Sequence, residues 1–201
     1  MNVYKVEPID FASNTFAVTE DGENCILIDC AQPRVLKECE RLGLTPRAVL
    51  LTHGHFDHVG GCQTLQKSGA EIYCTEVEEG LIFGEHMRIF GGVSVPEFSI
   101  DRHICAGECE ICGIKVQTVL TSGHTAGGAC FIIGDALFTG DTLFNLSVGR
   151  CDLPTGSHRE LIASLKKLAA LQGDYKVYCG HGDDTTLNYE KKNNPWIYRN
   201  V

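Results

Sequence analysis

No stretch of this 201-residue chain is apolar for long enough to cross a bilayer. The opening run MNVYKVEPIDFASN has no apolar core of signal-peptide length and is broken by Glu7, Pro8 and Asp10. Both absences point to a soluble, cytoplasmic protein. Positive charge is in short supply: 17 Lys and Arg stand against 26 Asp and Glu, a formal net charge of -9. Nucleic acid and anionic bilayers repel such a chain, so neither is expected as a partner. Low-complexity tracts, strong internal repeats and a polar linker are also missing. With 43% hydrophobic and 21% charged residues, the composition is that of an ordinary globular chain. One domain over residues 1–201 is predicted, long enough to bury a core.

Cysteine is the exception, with eleven residues. The odd count, scattered spacing and missing export signal argue against a disulfide framework. Most of these residues fall in apolar runs such as NCILIDC and GACFIIG, where a reduced thiol packs as a small core group. His103, Cys105, Cys109 and Cys112 have spacings that a zinc site tolerates. The same stretch reads as a hairpin turning near Ala106-Gly107, and a two-residue period then puts Cys109 and Cys112 on opposite faces. They are read as core and hairpin residues.

The N-terminal half reads mainly as short strands: VYKVEPI, TFAVTE, the continuous apolar CILIDC, RAVLLT and EIYCT. Two helices interrupt them, QPRVLKECERLG and GCQTLQKSG. The first has Pro33 in its opening turn and Gly43 just past its end. Residues 76–100 carry no clear period, and are a candidate to line a cleft. In the second half GACFIIGDALFTGDT reads as two strands turning at Gly134-Asp135. A helix starts at Ser157 with Glu160 three residues on, a capping box, and YKVYCG is a last strand. Strands and covering helices in each half suggest two sheets face to face with helices outside, an α/β (α+β) sandwich.

Of eight histidines, three crowd into LTHGHFDHVGG at residues 53–58, beside Asp57 and straight after a strand. Four adjacent ionisable groups have no role in a core. Loops after strand ends are where a rigid frame presents ligands. The context recurs: His124 in TSGHTAGG, Asp141 in FTGDT and His181 in CGHG each follow a strand. Five histidines and two aspartates are too many for one tetrahedral ion and suit two, with one carboxylate bridging. Gly54, Gly123, Gly180 and Gly182 let the backbone turn close to such a site.

H-x-H-x-D-H after a strand, then G-H-T, G-D-T and a late G-H together resemble the metallo-β-lactamase fold superfamily over nearly the whole chain. The resemblance implies a four-layer αββα sandwich with metals at one edge of the sheets. It implies that His53, His55 and His124 hold one ion, that Asp57, His58 and His181 hold a second, and that Asp141 bridges. Two divalent ions are implied, zinc first, with iron or manganese as alternatives. A glutamate in place of His55 would have pointed to the flavodiiron-type branch. Asp29, at the end of CILIDC, matches an early aspartate that supports the histidine loop without being a ligand.

GDTLFNLSVGRCDLPTGS and NYEKKNNPW resemble the hydroxyacylglutathione hydrolase (glyoxalase II)-like branch. There Arg150 matches a basic residue that binds the glutathione carboxylate; its bland reading is a solvated loop arginine. Asp152 and Leu153 stand where that branch has an aromatic, Ser122 and Cys179 where many members have proline. The chain also lacks that branch's C-terminal helical domain, so the short single-domain form is expected. The implied chemistry is attack of a metal-activated water on a thioester carbonyl, with Asp57 orienting the nucleophile. A mononuclear Fe(II) persulfide dioxygenase using His53, His124 and Asp141 is the main alternative. A lactonase or β-lactamase-like hydrolase and a non-catalytic binding protein rank below it. His86 and His158 are read as surface residues, Lys191 and Lys192 as solvated charges, and NNPWIY as packing the C-terminus down. The acyl group, the thiol, the metal and the oligomeric state are not encoded in these motifs.

Overall fold

The computed structural model describes residues 1–10, 12–84 and 97–200. Its first sheet holds β1 (Asn2–Val6), β2 (Thr15–Thr19), β3 (Asn24–Ile28), β4 (Thr45–Leu50), β5 (Glu71–Cys74) and β6 (Arg102–His103), in that spatial order. The second runs from β7 (Gly107–Ile111) through β8 (Ile114–Leu120), β9 (Ala129–Ile133), β10 (Ala136–Gly140) and β11 (Lys176–Cys179) to β12 (Thr185–Thr186). Helices α1 (Val35–Arg41), α2 (Phe56–Val59), α3 (Cys62–Lys67) and α4 (Glu76–Ile82) follow strands of the first sheet. Helices α5 (His158–Ala169), α6 (Leu187–Asn193) and α7 (Pro195–Tyr198) accompany the second.

Strand alternation builds the layers. Within β3, Ile26 and Ile28 face inward and join Phe16, Val18 and Leu50 with Val116, Phe131 and Phe138 of the second sheet. The intervening Cys25 and Leu27 face outward and pack on Val35, Cys39 and Leu65 of the first helical layer. On the far side, Ile132, Leu137 and Val177 pack on Leu165, Leu168, Leu187 and Ile197. Both faces of each central strand are thus covered, which explains runs such as CILI and ACFII that are apolar without alternating. The result is the four-layer αββα sandwich.

The topology brings chosen strand ends to one edge. β3 and β4 are parallel, as are β10 and β11. β8 and β10 both run antiparallel to β9, so they share a direction. Asp29, His53, His124, Asp141 and His181 all follow the C-terminal ends of these strands. The Ala129 N–H donates across the sheets to the Thr52 carbonyl (2.8 Å), and the Asn14 N–H donates to the Gly180 carbonyl (2.7 Å).

Three expectations are corrected. The hairpin turns at Cys112-Gly113, not near Ala106-Gly107, and Ile111 pairs with Ile114. Arg102–His103 belongs to the other sheet, parallel to β5. Cys109 and Cys112 are exposed residues of this hairpin and Cys105 is exposed just ahead of it, none of them core, whereas Cys25, Cys30, Cys39, Cys62, Cys74, Cys130 and Cys179 are buried and free. Part of the stretch without a clear period, 76–82, is helix α4; His86 lies outside the described residues. No helix among the described residues is long and apolar enough to cross a membrane.

Candidate metal centre

Leu50 ends β4, and the chain then crosses the sheet edge as an extended loop carrying His53 and His55. Phe56–Val59 turns into one helical turn, so Asp57 and His58 project from a short helix and not from a loop. Ser13 fixes this turn by donating its N–H (3.1 Å) and hydroxyl (2.9 Å) to the Asp57 carbonyl. His124 follows Gly123, whose φ is +138° and where a Cβ would lie 2.3 Å from the Leu161 backbone of α5. Only glycine lets that loop seat on the helix. At Gly180 a Cβ would come within 2.3 Å of Asp141 Oδ1 and 2.9 Å of His58 Cε1, so the backbone that leads to His181 lies directly against these two side chains.

All seven side chains converge. Donor atoms of His53, His55 and His124 lie within 4.8 Å of one another, as do those of His53, His58 and Asp141, and those of Asp57, His58 and His181. His124 Nε2 stands 2.8 Å from His55 Nδ1 and 3.5 Å from Asp141 Oδ2. His58 Nε2 is 3.3 Å from Asp141 Oδ1, and His181 Nε2 is 3.1 Å from Asp57 Oδ2 and 3.6 Å from Asp141 Oδ2. Asp141 therefore sits between the two halves of the cluster. Among the described residues, no such set includes Cys105, Cys109 or Cys112. His103 instead pairs with Glu79, and His158 is exposed with its ring beside Trp196.

The surrounding bonds orient three of the rings, and leave Nε2 of His53 and of His58 without a partner among the described residues. His124 Nδ1 lies 2.7 Å from the Arg150 carbonyl, which only accepts, so that nitrogen carries the proton and Nε2 keeps its lone pair. Thr52 donates its N–H (2.7 Å) and hydroxyl (2.8 Å) to Asp29, and its oxygen faces His53 Nδ1 at 3.1 Å. Asp29 Oδ2 also accepts from His58 Nδ1 at 2.8 Å. Asp29 thus bonds to both Thr52 and His58 and lies outside the three candidate metal-holding sets, with its backbone at φ +59°.

Electrostatics sorts the rings. Burial, reinforced by neighbouring imidazoles, pushes His53 well below its ordinary value and His55 down to about 4; burial also lowers His124. These three rings present neutral lone pairs. Burial pulls His58 down as well, but the Asp29 and Asp141 carboxylates outweigh it and hold the ring well above the usual range. His181 is raised chiefly by its bond to Asp57. Burial pushes Asp141 and Asp57 up, yet the facing histidines overcome it and both carboxylates end lowered.

His53 Nε2, His58 Nε2 and Asp141 Oδ1 are buried without a hydrogen-bond partner among the described residues. Each such atom costs about 1–3 kcal/mol unless something satisfies it. Imidazole nitrogens and carboxylate oxygens aimed at common points satisfy that need by binding cations, and they suit zinc, iron or manganese.

Glu78 was not anticipated in the sequence. It is 1% exposed at the start of α4, behind the N-cap Thr75. Its Oε1 accepts from the Gly54 N–H (2.8 Å) and its Oε2 from the Thr125 hydroxyl (3.0 Å). One buried carboxylate so ties the His53–His55 loop to the His124 loop, and burial raises its pKa. The only advance signal was an acid in a first helical turn, and residues 76–100 offered no period by which to see the helix.

A cleft of about 290 Å³ opens on the cluster. Phe56, Phe144 and Leu153 wall it and Arg150 stands at its rim. Lys191 is elsewhere, donating to the Leu171 carbonyl at 2.7 Å.

Residues 8–181 match the family model of the Metallo-beta-lactamase superfamily. A hydroxyacylglutathione hydrolase GloC from Haemophilus influenzae is 34% identical over 208 residues, covering 98% of each chain. Among solved structures, the BLEG-1 B3 metallo-beta-lactamase superposes with a TM-score of 0.91 at 26% identity, covering 98% of this chain and 99% of that one. The protein TTHA1623, in a di-iron-bound form, gives 0.85 at 33% identity, covering 96% and 99%.

Proposed function

The chain belongs to the metallo-beta-lactamase superfamily, and we propose that it is a binuclear metal-dependent hydrolase acting on a thioester of the hydroxyacyl-thiol kind. In this reading His53, His55 and His124 hold one divalent ion; Asp57, His58 and His181 hold the second; and Asp141 lies between them. Zinc is the first candidate, with iron and manganese next. One domain over residues 1–201 carries the activity, in the cytoplasm, on a small molecule and without nucleic acid or membrane. The observation that carries the reading is the convergence of two ligand sets around Asp141, with buried His53 Nε2, His58 Nε2 and Asp141 Oδ1 unpartnered.

When bound, two divalent ions supply Lewis acidity and bring the pKa of coordinated water toward neutral. The chain's residues do the rest. Asp29, Thr52 and the Arg150 carbonyl fix the tautomers and ring angles of His58, His53 and His124. Asp57, which lines the cleft, orients the attacking water and accepts its proton. Phe56, Phe144 and Leu153 hold the acyl chain and exclude bulk water. The departing thiolate is a good leaving group, so no dedicated acid is required.

The test is a panel of thioesters assayed for thiol release by metal-loaded and chelator-stripped protein. Release is expected from the loaded form, lost on stripping and restored by reloading. Asp57→Ala lowers kcat by about 100-fold or more. No release from any thioester, together with oxygen uptake on a glutathione persulfide, would replace this reading with the mononuclear Fe(II) dioxygenase.

A further inference from the structure

Arg150 is the one lysine or arginine among the described residues that line the cleft. It is tied to the centre, because its carbonyl accepts from His124 Nδ1 at 2.7 Å. A free guanidinium at this rim would draw in a substrate carboxylate, since its planar fork matches two carboxylate oxygens. The fork is already taken. Nε is 2.7 Å from Asp152 Oδ1 and Nη2 is 2.8 Å from Oδ2, two parallel charge-assisted bonds to a residue of the same loop. The pairing draws the Asp152 carboxyl down to about 2 and raises Arg150, so both stay charged at any working pH. The rest of the rim is Phe56, Phe144 and Leu153, with Asp57 as a further acid.

We propose that Asp152 is a specificity-determining residue: it occupies the Arg150 fork as an internal stand-in for a substrate carboxylate. The cleft mouth is thereby directed to substrates that bring no carboxylate there. The guanidinium keeps spare N–H donors, which suit a neutral amide carbonyl of the thiol moiety. The inference rests on the thioester-hydrolase reading for its biological substrate, but its physical content is a binding preference that can be measured without turnover.

The pair is exposed, with side chains 60% and 67% accessible, so the expected effect is modest. The probes are S-methylglutathione, an uncleavable thioether with two carboxylates, and its dimethyl ester. Dissociation constants are measured on metal-loaded wild type, Asp152→Asn and the double variant Arg150→Gln/Asp152→Asn. In Asp152→Asn, preference for the acid over the ester should rise about fivefold, the size of an exposed ion pair. In the double variant it should fall back to the wild-type ratio or below. An unchanged ratio in Asp152→Asn overturns the proposal. So does a rise that persists without Arg150, because Asp152 would then act only as a general negative charge. Thiol release from the matching lactoyl thioesters is followed in parallel. A shift in binding ratio without turnover of either thioester upholds the Asp152 role and removes the hydrolase reading; turnover with no shift does the reverse.

Discussion

Glu78 and Asp29 show how much of the centre depends on single buried carboxylates that are not themselves in the ligand sets. Asp29 sits in left-handed backbone, a conformation that costs a residue with a side chain roughly 1 kcal/mol or more. From there it fixes Thr52 and His58 together. Glu78 joins two loops that are far apart in sequence. In Glu78→Gln one acceptor for the Gly54 N–H survives, but the second oxygen becomes a donor facing the Thr125 hydroxyl. Metal affinity, measured by competition with a chelator, should fall about 10- to 100-fold while the fold is retained. Unchanged affinity would mean that the loops hold their register without the carboxylate. Asp29 was legible beforehand only through the family resemblance, because its place at the end of an apolar strand is equally that of an ordinary turn aspartate. Glu78 was not, because what defines it is a tertiary contact with Gly54 and Thr125, and nothing in EVEEGLI separates it from Glu76 and Glu79.

Helices α6 and α7 show what the C-terminal motif NYEKKNNPW does at the scale of elements. Glu190, fully buried, accepts from the Thr185 hydroxyl (2.7 Å), the Leu146 N–H (2.9 Å) and Asn194 Nδ2 (2.8 Å). Asn194 also donates to the Ser147 carbonyl (3.0 Å) and caps α7 through the Trp196 N–H (3.0 Å). Two helices so hold the loop that sets Phe144 beside His181, with ring centroids 6.1 Å apart. Asn194→Ala leaves Glu190 and the Ser147 carbonyl short of a donor and should cost about 1–3 kcal/mol in urea unfolding. KM for the substrate should rise, since a wall of the cleft loses its support; a variant as stable as the parent would contradict this. The helix capped by Ser157 and the turn at Gly134-Asp135 were legible from local chemistry. The Cys112-Gly113 turn was not. Both residues have positive φ, +52° and +80°, the geometry of a two-residue hairpin loop that usually carries Asn or Asp first. A cysteine there gives no turn signal, so the pattern places the hairpin turn six residues too early.

Across the whole molecule the centre is a seam. The first sheet and its helices contribute Asp29, His53, His55, Asp57, His58 and Glu78; the second contributes His124, Asp141 and His181. The candidate ligand residues were readable because they follow strand ends, and parallel strands deliver those ends to one edge. Their pairing into two sets is a property of the packed sheets, which sequence spacing alone does not state. In the proposed reading, cations bound at the seam would also couple the halves, as any ligand of the native state does. The most direct measurement is elemental analysis of protein purified without added metal or chelator. The account predicts about two ions per chain, as zinc, iron or manganese, because both ligand sets converge around Asp141. About one iron per chain and no other metal, unchanged after incubation with excess zinc or manganese, would contradict it.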